Sequence, residues 1–374
     1  MTHKILIALA LQLAVAPVYG QVSEALISRA VLPLPEALRA DAAVFTYDES
    51  GTRQNLRSGT NAVECKIKDQ NNHTLCFAKS TAARRDYSAK LAASGLEGDE
   101  LRAAEAKAEA AGLIQPVPPG SMIYRLDESE GGMQLLWVVM LPNTNSSELA
   151  VSPAGRFTSS VKGMGTPWMM REGTSSAHIM MPINGTDLSN KGGAETALDT
   201  SDIHPFIRAT LPLPRDLRRE TTVVSYDTES GERKILRRGS NGIVCVPRDE
   251  ETGFTRCSHE KNLAELDLRM KMHAEGQSDE AIDAAIQARI ASGDIPTRRF
   301  GEFLYRLYEG EEDRLKLLWV IRLPGVTAAE TGMPTHADRD KLSIGKGTPW
   351  LMREGTDRAH LMIPVNGTEL SNMY

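Results

Sequence analysis

A stretch that occurs twice constrains this chain more than any other feature of its sequence. Residues 163–174 read GMGTPWMMREGT, and residues 345–356 read GKGTPWLMREGT. The likeness continues through residues 177–186 and 359–368, where it includes polar side chains that core packing alone does not require. A long internal repeat is typical of a duplicated structural unit. We therefore expect two domains that share one fold.

The composition is that of a soluble globular protein. The chain has 374 residues, 41% of them hydrophobic, which is enough for two cores of ordinary size. Its formal net charge is −6. A surface that binds nucleic acid needs an excess of Lys and Arg to neutralise phosphates, so the charge argues against a nucleic-acid partner.

The N-terminal residues have the layout of a secretory signal peptide. His3 and Lys4 precede an apolar run from Ile5 to Ala16, and residues suited to a cleavage site follow as far as Gly20. A helix that spans a bilayer needs roughly 20 apolar residues, so this shorter run does not favour a transmembrane anchor. We predict a signal peptide at residues 1–20 and export of the mature chain to the periplasm or the cell exterior.

Export determines how the cysteines are interpreted, because disulfides persist in oxidising compartments and free thiols rarely do. Each copy contains two, Cys65 and Cys76 in the first and Cys245 and Cys257 in the second, and each pair flanks a polar segment typical of a hairpin turn. The sequence predicts one local disulfide in each copy. Four thiolates around one zinc ion are the less favoured alternative, because the short C-x-x-C spacing is missing.

Both copies show the same order of predicted elements. β-branched and aromatic residues predict early strands at residues 43–48 and 222–227, and the next strands carry the cysteines. A helical section follows, which is clearest after Ser278, a residue placed to cap a helix with Ile282 and Ile286 on one face. Further strands complete each copy.

Unbroken apolar runs around Trp137 and Trp319 predict strands buried on both faces. With the helical section, these patterns place the protein in the α+β class, each domain an antiparallel sheet with a short helical pair. The segment 191–205 is rich in Gly and polar residues and is predicted as the linker. The domains accordingly comprise residues 21–190 and 206–374, and we expect domain 1 to pack on domain 2.

The repeated stretch has the pattern of a β-hairpin. Side chains alternate across a strand, so a turn centred near Thr174 would place Met170 opposite His178 and Trp168 opposite Met180. A shift of one residue in this pairing would separate the two halves of the set onto opposite faces. The same pairing is predicted in the second copy. We call the two sets the hairpin clusters: Trp168, Met170, His178 and Met180, and Trp350, Met352, His360 and Met362.

Two interpretations of the hairpin clusters are non-catalytic. In the first, which the sequence favours, methionine fills gaps against tryptophan in a packed face and the imidazole bonds to the backbone. In the second, one imidazole and two thioethers bind copper(I), a soft metal ion. The candidate metal ligands are then Met170, His178 and Met180 in the first copy and Met352, His360 and Met362 in the second.

The third interpretation is a hydrolase-like enzyme. An arginine can hold a carboxylate or phosphate through paired hydrogen bonds while His or Glu acts as general base or acid. The candidate catalytic residues are Arg171, Glu172 and His178, with Asn184 nearby, and Arg353, Glu354 and His360, with Asn366 nearby.

The sequence identifies neither a ligand nor a cofactor. We favour a non-catalytic binding or structural role outside the cytoplasm, with an unknown ligand or protein partner. The enzyme and the copper(I) carrier are the alternatives.

Overall fold

The computed structural model describes residues 24–68, 73–129, 132–149, 151, 167–183, 204–250, 252–309, 315–336 and 347–365. The predicted signal peptide, nearly all of the predicted linker, and the residues Asn184 and Asn366 lie outside these ranges.

Each half of the described chain forms one eight-stranded sheet. The strands of the first half are β1 (Ala43–Tyr47), β2 (Arg53–Arg57), β3 (Val63–Lys66), β4 (His73–Ala78), β5 (Met122–Ser129), β6 (Gly132–Met140), β7 (Trp168–Met170) and β8 (His178–Pro182). The strands of the second half are β9 (Thr222–Tyr226), β10 (Arg233–Arg237), β11 (Ile243–Val246), β12 (Phe254–His259), β13 (Phe303–Glu309), β14 (Leu315–Arg322), β15 (Trp350–Met352) and β16 (His360–Val365).

The strand order is the same in both sheets. It runs β2-β1-β3-β4-β5-β6-β8-β7 in the first half and β10-β9-β11-β12-β13-β14-β16-β15 in the second. The predicted α+β class and the two halves with one fold are confirmed. The sheets are mixed rather than purely antiparallel, because β1 pairs parallel with β3 and β9 with β11. The cause is an edge strand that we did not predict: β2 and β10 each reverse the chain before it returns beside β1 or β9.

The helices of the described ranges are short. They are α1 (Glu24–Ala30), α2 (Glu36–Arg39), α3 (Ala82–Ala93), α4 (Gly98–Ala110), α5 (Pro205–Ala209), α6 (Leu263–Ala274), α7 (Asp279–Ala291) and α8 (Ala328–Thr331). Two in each half follow the predicted helical sections, and the other four were not predicted. Helices α3 and α4 form the predicted pair of the first half, and α6 and α7 form that of the second. The Ser278 side chain accepts a hydrogen bond from the Ala281 N–H, which caps α7 as expected, and Ile282 and Ile286 are buried.

The same contact fixes each helical pair to the edge of its sheet. In the first half Asp86 of α3 accepts hydrogen bonds from the Tyr47 hydroxyl at 2.7 Å and from Nε of Arg53 at 2.8 Å. In the second half Asp267 of α6 accepts from the Tyr226 hydroxyl at 2.8 Å. The carboxylate thus links a helix that has no fully buried side chain to the sheet.

Both predicted disulfides are present. Cys65 and Cys76 lie directly opposite one another on β3 and β4, and Cys245 and Cys257 do so on β11 and β12. Their Cα atoms are 3.9 Å and 4.0 Å apart, respectively. Each bridge therefore closes a local hairpin inside its own half, and a shared zinc site is excluded.

The strand around Trp137 is buried on both faces, as predicted. Leu136, Trp137 and Val138 are 3%, 0% and 4% exposed, although they point alternately to the two sides of the sheet. Trp137 belongs to a large core that includes residues of both halves, whereas Leu136 and Val138 belong to a smaller cluster on the opposite face. The repeated hairpin contributes to this smaller cluster.

The segments that follow β6 and β14 contact the other half of the chain, and we call residues 141–149 and 323–333 the crossing segments. A Cβ atom added at Gly301 would lie 3.2 Å from Leu141 Cδ1, and one added at Gly120 would lie 2.7 Å from Leu323 Cδ1. The Phe303 N–H also donates to the Leu149 carbonyl at 3.2 Å.

These contacts are reciprocal. Gly120 and Gly301 occupy the same position in the two copies, and so do Leu141 and Leu323. Both glycines have positive φ, 77° and 82°, so both the backbone conformation and the lack of space require a residue without a side chain. A contact in which each partner presents the same surface is the pattern of twofold symmetry.

Replacing Leu149 by alanine tests the crossing segment. Leu149 is 1% exposed and lies against the other half, so Leu149→Ala leaves a cavity and should lower the free energy of unfolding by about 2–5 kcal/mol. Denaturant unfolding measures the change. The matched control is Leu113→Ala at a site that is 68% exposed, where we expect a change below about 0.5 kcal/mol. Equal, small effects of the two substitutions would contradict the packing of the segment.

Candidate functional site

The repeated hairpin has the predicted register in both halves. Met170 pairs with His178 and Trp168 with Met180 on β7 and β8. The corresponding residues pair in the same way on β15 and β16. All members of each hairpin cluster therefore share one face of the sheet, the face opposite to Trp137 or Trp319.

The inner members of the hairpin clusters are packed. Trp168 and Met180 are 8% and 7% exposed and contact Leu136 and Val138 of β6. Trp350 and Met362 are packed against β14 in the same way. The outer member Met352 is exposed. This arrangement is an apolar layer that secures the hairpin to the sheet, as the packing interpretation expects.

The two histidines are held by their own strands. Nδ1 of His178 lies 2.8 Å from the carbonyl oxygen of Ser176, and Nδ1 of His360 lies 2.8 Å from that of Arg358. Because a carbonyl only accepts, Nδ1 carries the proton and donates, which leaves Nε2 as the acceptor nitrogen of a neutral ring.

The surroundings of these rings oppose protonation. Burial lowers the pKa of His178 below its ordinary value, and the charge of Arg171 acts in the same direction. Burial, with the charges of Arg306, Arg353 and Arg322, lowers the pKa of His360 to about 4. Both rings are therefore neutral at neutral pH.

The two candidate glutamates bind the crossing segments. Oε2 of Glu172 accepts from the Ser146 N–H at 3.0 Å, and Oε1 accepts from the Ser146 hydroxyl at 2.9 Å. Oε2 of Glu354 accepts from the Ala328 N–H at 2.7 Å. Ser146 begins a 3₁₀ helix at Ser146–Glu148, and Ala328 begins α8. The carboxylates thus satisfy N–H groups at helix starts, where negative charge is favoured.

The two candidate arginines lie in the hairpin turns. Arg171 and Arg353 have φ of 55° and 54°, a left-handed conformation that is uncommon outside glycine. The Arg171 carbonyl accepts from the Thr174 hydroxyl at 2.8 Å, which closes the turn. The bend directs Glu172 towards Ser146, whereas His178 stays on the sheet face. Within the described ranges no hydrogen bond or ion pair joins Arg171, Glu172 and His178 to one another.

A set of arginines lies on the same face as His360, and we did not predict it. Arg306 of β13 lies opposite Arg256 of β12, and Arg322 of β14 lies opposite His360. Arginines that are far apart in the sequence become neighbours only through the strand order. The alternation of polar and apolar residues along β12 and β13 is the one sequence signal that could have indicated them.

This positive charge bears on the copper(I) interpretation. In the part of the chain that the structure describes, no group of three or more His, Cys, Asp or Glu side chains could hold a metal ion. The methionine and histidine ligands do lie on one face, but the arginines that disfavour an imidazolium at His360 also disfavour a metal cation there. The copper(I) ligand set stays a prediction.

The comparisons with known proteins are negative. No model of a protein family matches the chain, and no curated protein or solved structure matches it. None of the described helices combines the length and the apolar character needed to cross a membrane.

Lowering the pH tests the environment of His360. The unfolded chain binds a proton near pH 6.5, whereas the folded ring binds one only near pH 4, so protonation favours unfolding between these values. We expect the wild-type melting temperature to fall as the pH drops through this window, and His360→Gln to reduce the fall. Thermal melts at a series of pH values measure it. His273→Gln at an exposed site is the control, and identical pH profiles for His360→Gln and wild type would contradict the assignment.

Proposed function

We propose that the chain is an exported, non-catalytic binding protein whose two halves act as one body. The observation that carries this proposal is the use of Glu172 and Glu354, which bind backbone N–H groups of the crossing segments. These two residues of the repeated stretch thus support the fold.

The geometry offers little to a catalytic role. A general acid or base must reach the proton that it transfers, usually with a second group that orients it. The glutamates already accept internal hydrogen bonds, the arginines lie in exposed turns, and the histidines are oriented by main-chain carbonyls. Hydrolysis usually needs a histidine that a carboxylate orients, whereas these imidazoles are neutral and are oriented by carbonyl groups.

The crossing segments support the proposal that domain 1 packs on domain 2. The segments that contact the other half are also held by the hairpin glutamates, at Ser146 and at Ala328. Hairpin, crossing segment and opposite half are therefore in contact in both directions. A ligand that binds the hairpin-side face of one sheet would then act on a single body.

Export is part of the proposal and rests on the predicted signal peptide and the two buried disulfides, which need an oxidising compartment. We expect the mature protein to begin near Gln21. N-terminal sequencing of the protein isolated from its native cells checks this. Protein that retains Met1 would contradict export by a cleaved signal.

Replacing the glutamates separates the structural from the catalytic role. Glu172→Gln and Glu354→Gln remove the negative charge at the two helix starts and should each lower the free energy of unfolding by about 0.5–2 kcal/mol. The wild type should not turn over chromogenic esters, phosphate monoesters or glycosides. Glu49→Gln at an exposed site is the stability control. Turnover by the wild type that these variants or His178→Gln abolish would overturn the proposal.

A further inference from the structure

The second half carries an arginine pair without an evident structural purpose. Arg256 on β12 lies directly opposite Arg306 on β13. Directly opposite residues have Cβ atoms roughly 4.5–5.5 Å apart, and like charges in this arrangement are destabilising. A pair of this kind should be absent from a sheet unless something offsets the repulsion.

In the part of the chain that the structure describes, no acidic side chain offsets the charge of Arg306. Among the described residues its guanidinium forms no hydrogen bond or ion pair, and the charged groups that act on it are Arg256, Arg322 and Arg353. Together with burial, these arginines lower the pKa of Arg306 to about 10. Arg322 itself is engaged by Glu302, at 3.3 Å.

Arg256 has weak partners of its own. Its Nη2 donates to the Thr252 hydroxyl at 3.3 Å, and its guanidinium carbon lies 5.7 Å from the centre of the Phe254 ring. Burial lowers the pKa of Arg256, although the charge of Asp249 acts in the opposite direction. Among the residues that the structure describes, no carboxylate forms an ion pair with either guanidinium of the pair.

The first half shows what a structural arginine at this position looks like. Arg125, the counterpart of Arg306, donates from Nε to Asp127 at 2.7 Å and lies 3.1 Å from Nε2 of His73. In the second half Tyr308 replaces this aspartate, and Arg256 replaces Leu75. On this face the second copy therefore lacks the acid of the first copy and has one more cation.

The surroundings of the pair suit an organic anion. Phe254 lies opposite Tyr308 on the same face, next to the two arginines, and their ring centres are 5.1 Å apart. Arg256 is exposed, so the pair can be reached from solvent, whereas Leu304 and Phe254 pack on the buried apolar layer of the hairpin cluster. The two guanidinium groups therefore lie next to an aromatic surface.

We propose that Arg256 and Arg306 bind the oxyanion, a phosphate or carboxylate, of a small molecule whose aromatic or apolar part lies against Phe254 and Tyr308. A guanidinium matches these anions with two parallel hydrogen bonds. A bound anion would offset the repulsion between the two arginines. The imidazole of His360 nearby is neutral, so it carries no charge that would attract the anion away from them. This site specifies a ligand class for the proposed binding function, on which it rests.

Phenyl phosphate and benzoate are the probes, with sodium chloride at equal ionic strength as the reference. Titration calorimetry and thermal melts of the full chain should show binding of at least one probe to the wild type. Arg306→Gln and Arg256→Gln should each weaken it about tenfold or more, as expected for loss of a charge-assisted hydrogen bond. The matched control is Arg125→Gln in the first half, which should leave the affinity unchanged. Comparing the affinity for benzoate with that for phenyl phosphate shows whether the site prefers a carboxylate or a phosphate.

Three results would overturn the site: neither probe binds the wild type, Arg125→Gln weakens binding as much as Arg306→Gln, or both second-half variants bind like the wild type. A second readout is independent of ligand. Without an anion, Arg256→Gln should melt at the same or a higher temperature than the wild type, because it removes a like-charge neighbour. A clear loss of stability would show that the arginines are structural. The binding titration and the melting measurement do not depend on the turnover assay. Failure of this site can therefore be distinguished from failure of the proposed non-catalytic role.

Discussion

The reciprocal contact of the two crossing segments is the constraint on which the arrangement of this protein depends. Leu149 lies against Gly301 and Leu323 against Gly120, so each crossing segment contacts the other copy. The hairpin glutamates bind Ser146 and Ala328, which begin short helices within these segments. Both repeated stretches place their carboxylate at the corresponding point of a crossing segment.

Several features follow from the sequence because they depend on neighbours close in the chain. The alternation of apolar residues fixes the register of the hairpin, since a shift of one residue would expose Trp168 and Met180. The local disulfides also follow from the sequence, because the two cysteines of each pair are close together in the chain. The helix after Ser278 has its cap and its buried stripe within one short segment.

Features that depend on distant residues could not be predicted in this way. Edge strand β2 reads Arg-Gln-Asn-Leu-Arg, with little apolar content to mark it as a strand, and its place is determined by pairing with β1. Glu172 resembles a catalytic carboxylate until its contact with Ser146 is seen. The arginine pair becomes visible only when β12 and β13 are aligned, because Arg256 and Arg306 are separated by the helical pair.

The equivalence of Gly120 and Gly301 also bears on the origin of the chain. Each copy contains both sides of the junction, the glycine surface and the leucines that cover it, so a single copy is self-complementary. An ancestral protein of half this length could have met a second molecule of itself through the same surfaces. In a fused chain the association of the two copies does not depend on protein concentration. The two copies can also change independently, because separate parts of one gene encode them. The difference between Asp127 in one copy and Tyr308 in the other is the kind of divergence that such a fusion permits.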